Sequence, residues 1–178
     1  TLCYHKDLTP FGGCRLCVVE IQGNRLPATS CTMPVTRGMV IETETPKIVR
    51  YRRFILESLL SKFYDAGYTR SNGQTGINPD TQFARWLTFY GIETQKTMAK
   101  KPFYKVDSDP NPFVWVDMNK CILCTRCVRA CAEVQGRFVW SIGGRGYDAP
   151  PIAGAEVPLQ AARCESCGAS LAYCPTGA

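Results

Sequence analysis

The sequence has no long apolar run and only one histidine, and both shortages limit what the chain can be. No stretch approaches the roughly 18 apolar residues that cross a bilayer, so no membrane span is predicted. The given sequence does not show the basic start followed by an apolar stretch that is typical of a secretory signal. The sequence also lacks a glycine-rich nucleotide loop and a nucleophile–base pair, so no substrate-converting (catalytic) site is predicted.

Cysteine, glycine and proline are instead abundant, with 11, 15 and 12 residues among 178. This composition is typical of short elements and loops that are held by something besides an apolar core. A disulfide framework normally has an even number of cysteines and an oxidising compartment. The odd cysteine count and the lack of a visible signal therefore favour thiols that bind zinc or an iron–sulfur cluster.

The densest run of cysteines is "CILCTRCVRAC", residues 121–131, with the spacing C-x2-C-x2-C-x3-C. Zinc sites usually use two separated C-x2-C pairs, because one tetrahedral ion takes only four ligands. A cubane cluster can take three thiolates from one such loop, and in bacterial ferredoxins the fourth cysteine of the run serves another cluster. The spacing indicates iron–sulfur ligation, with a zinc-stabilised binding module as the alternative.

A second run, "CESCGASLAYCPTGA" at 164–178, repeats this frame but has Ser170 at the third ligand position. If the last cysteine of each run binds the cluster of the other run, one [4Fe–4S] cluster is predicted at Cys121, Cys124, Cys127 and Cys174. A second cubane-type cluster is predicted at Cys131, Cys164 and Cys167, with Ser170 as a candidate fourth ligand. If Ser170 is a bystander, this second cluster is [3Fe–4S] or is open at one iron.

The remaining four cysteines, Cys3, Cys14, Cys17 and Cys31, have a wider spacing. A C-x2-C centre with a distant fourth cysteine resembles the plant-type two-iron ferredoxin pattern, so one [2Fe–2S] cluster is predicted. Gly12 and Gly13 would let the backbone approach it closely. All eleven cysteines are then used. His5 is expected to form a hydrogen bond or to be exposed, because the set already has four thiols.

The formal charge of +6 could indicate a nucleic-acid partner. The Lys and Arg residues are scattered, however, apart from residues 51–54 and 96–105. Three ligated clusters would contribute about −6 and bring the total to about zero. Solvated basic faces explain the remaining charge, and no nucleic-acid partner is predicted.

The pattern between the cysteines predicts short strands and two helices. Strands are expected at 17–22, 39–43, 113–117 and 137–142, with a returning partner after the "GN" turn at 23–24. Thr45 and Pro46 begin a helix to about residue 63, with Ile48, Tyr51, Ile55 and Leu59 on its apolar face. Asp80 caps a second helix, whose aromatic residues are expected in the core, and a basic linker follows to about 112.

Several stretches resemble the iron–sulfur N-terminal region of NAD-linked molybdenum- or tungsten-dependent formate dehydrogenases. They are "PFGGCRLCVVEI", "NKCILCTRCVRACAEVQGRFVWSIGGRGYDAP" and "CESCGASLAYCPTGA". The same module occurs in the large iron–sulfur subunit of complex I, in iron hydrogenases and in the diaphorase subunit of NAD-reducing hydrogenases. The stretch from "DPNPF" to "GRGYD" favours the formate dehydrogenase.

The resemblance implies an α+β fold in three parts. These are a partial β-grasp [2Fe–2S] domain at 1–45, a helical connector at 46–112, and a two-cluster [4Fe–4S] ferredoxin-like domain at 113–178. In the family, a hairpin and a helix precede the first cysteine, so we expect a fragment of a longer chain. A His-plus-three-Cys cluster site usually follows the long helix, but residues 61–97 contain neither His nor Cys, so that cluster should be missing.

The function that the resemblance implies is electron transfer in a cytoplasmic oxidoreductase. A Mo/W-pterin centre would lie in another domain or subunit, and FMN and NAD would be bound by a diaphorase partner with its own clusters. An NAD-reducing hydrogenase or a complex I-like assembly is the alternative parent enzyme.

Overall fold

The structure is a computed structural model that describes residues 1–65, 76–105, 109–146 and 149–178. It is an α+β arrangement of short elements, as the sequence predicts. In chain order these are β1 (Val18–Ile21), β2 (Ala28–Thr29), β3 (Ile41–Glu42), α1 (Pro46–Leu60), α2 (Gln82–Phe89), α3 (Thr94–Thr97), a 3-10 turn (Met118–Lys120), α4 (Arg126–Arg129), a π-turn (Ala130–Val134), β4 (Trp140–Ile142), β5 (Pro151–Ala153) and α5 (Ala169–Tyr173).

The N-terminal part contains a small antiparallel sheet in the order β2-β1-β3. Val18 pairs with Thr29 on one side of the central strand, and Ile21 pairs with Ile41 on the other. The chain turns at the predicted place, where the Asn24 amide donates to the Ile21 carbonyl at 2.9 Å. The predicted strands at 17–22 and 39–43 are therefore present, in shorter form.

Helix α1 begins as predicted but buries a different face. Thr45 caps it, with its hydroxyl accepting from the Ile48 amide at 3.2 Å, and Pro46 occupies the first helical position. The buried residues are Ile48, Arg52, Leu56 and Leu60, whereas the predicted Tyr51 is exposed. Arg52 is buried because its guanidinium donates to Glu44, the Tyr90 hydroxyl and the Val18 carbonyl. A helical period cannot reveal such a satisfied buried charge.

Helix α2 begins one residue later than predicted. Thr81, not Asp80, is the cap, and its hydroxyl accepts from the Ala84 amide at 3.2 Å. The helix supplies buried side chains to the main core, which also contains residues from α1 and from the cysteine loops. The prediction that the aromatic residues of α2 are core is confirmed for Phe83 and Tyr90, and Trp86 packs against the same core.

The C-terminal half has one two-stranded sheet, in which β4 pairs with β5 and Trp140 faces Ala153. The strand predicted at 113–117 is wrong: this described segment bends at Phe113 and has no sheet partner. It is fixed instead at its end, where the Asp117 amide donates to the Ala178 carbonyl at 2.7 Å. Parts of the predicted loop at 65–79, of the linker and of "GRGYD" lie outside the described residues, at 66–75, 106–108 and 147–148.

In the described part of the chain, none of the helices has the length and apolarity that a bilayer crossing requires.

Candidate iron–sulfur sites

The four N-terminal thiols meet at the edge of the first sheet. The sulfurs of Cys17 and Cys31 lie 3.3 Å apart. Cys3 and Cys14 are bound reciprocally, since the backbone amide of each donates to the sulfur of the other at 3.4 Å. Cys14 also acts electrostatically on Cys31, which brings the two pairs into one group. The structure thus assembles the predicted two-iron ligand set.

The loop that carries Cys14 requires an unusual backbone. Gly12 has φ +70°, and a Cβ atom there would lie 3.1 Å from the Thr32 methyl carbon. A Cβ atom on Gly13 would lie 2.3 Å from the Phe11 ring. Arg15 also has a positive φ, of 53°. The two glycines therefore allow a close turn that places Cys14 against Cys3.

A hydrogen bond between the two side chains, besides these amide contacts, shifts the pKa values of Cys3 and Cys14 in opposite directions. The hydrogen bond with Cys3 lowers the pKa of Cys14 to about 5, against the effect of burial. The same hydrogen bond and burial raise the pKa of Cys3. Burial raises the pKa of Cys31 to about 11. One thiolate is thus already available to a cationic core at neutral pH, while Cys3 and Cys31 would lose their protons when iron binds.

The predicted first cubane set surrounds one cavity of about 160 Å³, and Cys121, Cys124, Cys127 and Cys174 all line it. Most of its other walls are apolar and include Val114, Ile122 and Trp140. The structure therefore brings these four thiols, from two distant segments, around a single space.

Burial dominates the acidity of this set. It raises the pKa of Cys121 to about 12 and that of Cys124 to about 11, and it also raises the pKa of Cys127. Each of these thiols is further disfavoured as a thiolate by the neighbouring thiols of the set. A polynuclear iron core supplies the positive charge that would reverse this preference.

Backbone amides point at the sulfurs of the cubane sites. The Leu123 amide donates to Cys121 Sγ at 3.4 Å, and the Ala178 amide donates to Cys174 Sγ at 3.3 Å. Leu123 and Thr125 have φ values of 55° and 59°, which turns the loop back around the cavity. Amide donors to sulfur stabilise thiolate ligands and tune cluster potentials, so these residues fit an iron–sulfur cluster.

The second cubane set is less closely gathered. Cys131 is buried, its sulfur accepts from the Val139 amide at 3.3 Å, and it shares a small apolar cluster with Cys164. Cys167 is exposed. Ser170 lies in the wall of the first cavity, beside Cys174. Among the described residues, no hydrogen bond joins Ser170 to the other three, and its role as a fourth ligand stays a prediction.

The loops that carry the thiols are braced by two amide side chains that sequence reasoning missed. Asn111 Oδ1 accepts from the amides of Phe113 and Val114, while Nδ2 donates to Ser166 Oγ at 3.1 Å. Asn119, fully buried, accepts from the amides of Phe103 and Tyr104. The signal available in the sequence was the Asx-turn character of "DPNPF" and of "DMNK".

The spread of the thiols bears on the zinc alternative. A zinc tetrahedron with Zn–S bonds of about 2.3 Å needs its donor atoms within about 4 Å of one another. Within residues 1–65, 76–105, 109–146 and 149–178, no three His, Cys, Asp or Glu side chains form such a group.

Comparisons with known proteins agree with this donor chemistry. Residues 1–46 match a family described as "2Fe-2S iron-sulfur cluster binding domain". Residues 111–178 match "NADH-quinone oxidoreductase subunit 3, ferredoxin-like domain".

Longer relatives cover the chain almost end to end. It is 34% identical over 180 residues to an NADH-quinone oxidoreductase subunit of Rhizobium meliloti (strain 1021), covering 100% of this chain and 20% of the relative. It is 36% identical over 167 residues to the NADP-reducing hydrogenase subunit HndD of Solidesulfovibrio fructosivorans, covering 93% of this chain and 27% of the relative. The chain thus spans about a fifth to a quarter of these relatives' length.

A solved structure of an NAD+-reducing [NiFe]-hydrogenase in the H2-reduced state matches with a TM-score of 0.83 and 28% identity, covering 100% of this chain and 73% of that chain. The fold, the thiol sets and the two family matches agree. Over its whole length the chain therefore resembles the iron–sulfur region of complex I-type and NAD(P)-reducing hydrogenase-type subunits, and both of its matched domains belong to iron–sulfur families of oxidoreductases.

Proposed function

We propose that this chain holds three iron–sulfur clusters and relays electrons, one at a time, between two redox partners of an NAD-linked oxidoreductase. The observation that carries this proposal is the cavity in which the two halves of the ferredoxin pattern meet, with Cys174 beside Cys121, Cys124 and Cys127. When bound, the clusters supply one-electron carriers, so that each transfer reduces one centre and oxidises its neighbour.

The work of the protein is to hold and tune these carriers. Amides from Leu123, Val139 and Ala178 donate to cysteine sulfurs, which stabilises the thiolates. The apolar walls of the first cavity keep water away from the core. Around the two-iron set, the Cys3–Cys14 pair places a thiolate at neutral pH where iron would bind.

For the parent enzyme we retain two candidates. The stretch from "DPNPF" to "GRGYD" supports a cytoplasmic formate dehydrogenase with a Mo/W-pterin centre. The names of the relatives support an NAD-reducing hydrogenase or a complex I-like assembly. In both, a partner with FMN, NAD and its own clusters would exchange electrons with this chain. Our domain boundaries, the β-grasp topology, the location and the partners remain predictions.

The test is to purify the chain anaerobically and reduce it with dithionite. The proposal predicts brown protein whose reduced electron paramagnetic resonance spectrum contains [2Fe–2S] and [4Fe–4S] signals that are lost on oxidation, whereas a three-iron second cluster would give its signal in the oxidised protein. A colourless protein with bound zinc would support the binding-module alternative instead.

The candidate parents are then separated with the native complex. Formate-dependent reduction of the clusters, together with bound molybdenum or tungsten, would support the formate dehydrogenase. Reduction of the clusters by H2 would support the hydrogenase assembly. Reduction by NADH but by neither formate nor H2, without bound molybdenum, tungsten or nickel, would support the complex I-like assembly.

A further inference from the structure

Two arginines on one turn of α4 lie between the two-iron site and the first cubane site. Arg126 is buried, with 4% of its surface exposed, and Arg129 is half-buried. Both side chains leave the loop that carries Cys124 and Cys127 and reach across to the N-terminal segment. They link the two halves of the chain through polar contacts at this point.

Arg129 contacts a ligand residue of each site. Its Nη2 donates to the carbonyl of Cys3 at 2.5 Å and to the carbonyl of Cys124 at 3.2 Å. Its Nη1 donates to the Thr9 carbonyl at 2.6 Å, and Nε donates to Thr125 at 3.2 Å. One rigid guanidinium thus fixes the position of one cluster loop relative to the other, which a flexible ammonium could not do as well.

Arg126 adds further contacts between α4 and the N-terminal segment. It donates to the carbonyl of Tyr4 and to Gln82 Oε1, at 2.8 Å for the latter, while its buried Nε has no hydrogen-bond partner among the described residues. Burial lowers the pKa of this guanidinium, whereas the thiols of Cys124, Cys3 and Cys14 raise it. Its charge is therefore close to thiols of both sites.

Among the described residues neither arginine has a carboxylate within ion-pairing distance; the nearby Glu133 instead accepts from the Thr9 amide, while Arg129 donates to the Thr9 carbonyl. By contrast, the exposed Arg137 pairs with Glu165 at 2.9 Å. Buried cations need an anionic neighbour. An oxidised cubane core with four thiolates carries a charge of about −2, and reduction adds another negative charge. The uncompensated arginines therefore match anionic clusters and favour the reduced form.

From these contacts we infer that Arg129 is a positioning residue that couples the two-iron site to the first cubane site: it fixes their loops against each other, and its charge acts on both. This rests on the proposed function, because it requires clusters at these thiols. Arg126 adds a second positive charge between the two-iron site and the first cubane site.

The test compares three variants of the anaerobically prepared chain: Arg129→Gln, Arg129→Lys and, as a control of equal charge change, Arg50→Gln on the exposed side of α1. Redox titration followed by electron paramagnetic resonance gives the potential of each cluster. Hydrogen exchange of residues 3–9 reports the fixation of the N-terminal segment. Neither readout depends on enzyme activity.

We expect Arg129→Gln to lower the potentials of both clusters. At a fixed ambient potential the ratio of reduced to oxidised cluster should fall about tenfold, or about 59 mV for one electron. Arg129→Lys should leave both cluster potentials unchanged but accelerate hydrogen exchange in residues 3–9, because lysine keeps the positive charge but lacks the planar guanidinium with its several fixed donors. Arg50→Gln should change neither quantity.

The inference is overturned if Arg129→Gln shifts neither potential, or only one of them. If Arg129→Gln does not retain both clusters, the Arg129→Lys variant decides alone. Faster hydrogen exchange in residues 3–9 of Arg129→Lys, at unchanged cluster potentials, supports the inference. Unchanged exchange in these residues contradicts it. Absence of the two cluster signals from the unmodified chain would instead overturn the proposed function.

Discussion

The side chain of Asn111 joins the segment before the first cysteine run to Ser166, in the loop of the second run, through a hydrogen bond of 3.1 Å. The same side chain accepts from the amides of Phe113 and Val114. It is buried, and the loop it holds carries Cys164 and Cys167. A single amide therefore fixes the geometry of the second site.

Asn111→Ala should destabilise the iron-loaded protein by about 2 kcal/mol, because buried donors lose their partner. The second cluster should lose iron before the first in a timed chelation monitored by electron paramagnetic resonance. Asn111→Asp is the comparison variant: it keeps the acceptor for the two backbone amides, loses the donor to Ser166 and adds a carboxylate at a buried position. We expect it to be intermediate, and equal loss of both clusters in Asn111→Ala would contradict this account.

Ser170→Ala should leave the iron content and the spectrum of the second cluster unchanged. The physical reason is that Ser170 lies in the wall of the first cavity, and an alkoxide is a harder, less suitable ligand than a thiolate. Iron analysis before and after substitution gives the answer. Loss of one iron in the alanine variant would show that serine is a ligand after all.

Ser170→Cys supplies the complementary measurement on the second cluster. If the backbone can bring the new thiol to the open corner, an ordinary [4Fe–4S] signal should appear and only the second potential should change. The unmodified second cluster should respond to oxygen sooner than the first, because its fourth corner lacks a thiolate.

Iron loading of the first cubane site should weaken as pH falls. Burial raises the pKa of Cys121 to about 12 and of Cys124 to about 11, so both are protonated at neutral pH before iron binds. Each must release a proton, which lowers the affinity about tenfold per proton for each pH unit below these pKa values. Reconstitution with iron at pH 6, 7 and 8, with proton release measured at each pH, tests the direction of this pH dependence. Loading that improves toward pH 6 would contradict it.

The two-iron site should release fewer protons per thiol in the same experiment. The hydrogen bond from Cys3 lowers the pKa of Cys14 to about 5, so this group is already a thiolate at pH 7. In the iron-free chain, Cys3→Ala removes the side-chain donor and should raise the pKa of Cys14. Alkylation of Cys14 at several pH values in the iron-free chain provides the check.

Removing iron should collapse residues 113–178 together. Their apolar clusters are small, and the four thiols of the first cavity come from segments about fifty residues apart, so binding free energy contributes directly to folding. Hydrogen exchange after chelation should rise throughout this half, while α1 and α2, which pack in the larger core, stay more protected. A cooperative melt of residues 113–178 without iron would count against the crossed ligand assignment.

The ligand spacing predicted which thiols would lie around the first cavity, whereas the apolar pattern predicted the surrounding elements less well, and iron binding by these thiols stays a prediction. Ligand spacing is set by the size of the occupant, so the runs at 121–131 and 164–178 predicted that Cys174 would join Cys121 across a long separation. The strand predicted at 113–117 failed because alternation was not matched by a partner strand. That segment bonds instead to the C-terminal residue Ala178.

Two further features could not be predicted because they depend on tertiary partners. Arg52 lies on the buried face of α1 only because Glu44, Tyr90 and Val18 satisfy it. The sequence predicts that basic residues such as Arg129 are solvated, yet Arg129 donates a hydrogen bond to the carbonyl of Cys3, which is distant in the chain. Such contacts between loops leave no periodic signal.

Iron and acid-labile sulfide, measured on the anaerobically purified chain, test the central claim most directly. Three clusters at the eleven cysteines predict about ten iron per chain, or about nine if the second cubane-type cluster has three irons, with sulfide in nearly equal amount. Stoichiometric zinc without sulfide would contradict the account. A value near fourteen iron would show that the chain holds a further cluster that these thiols do not explain.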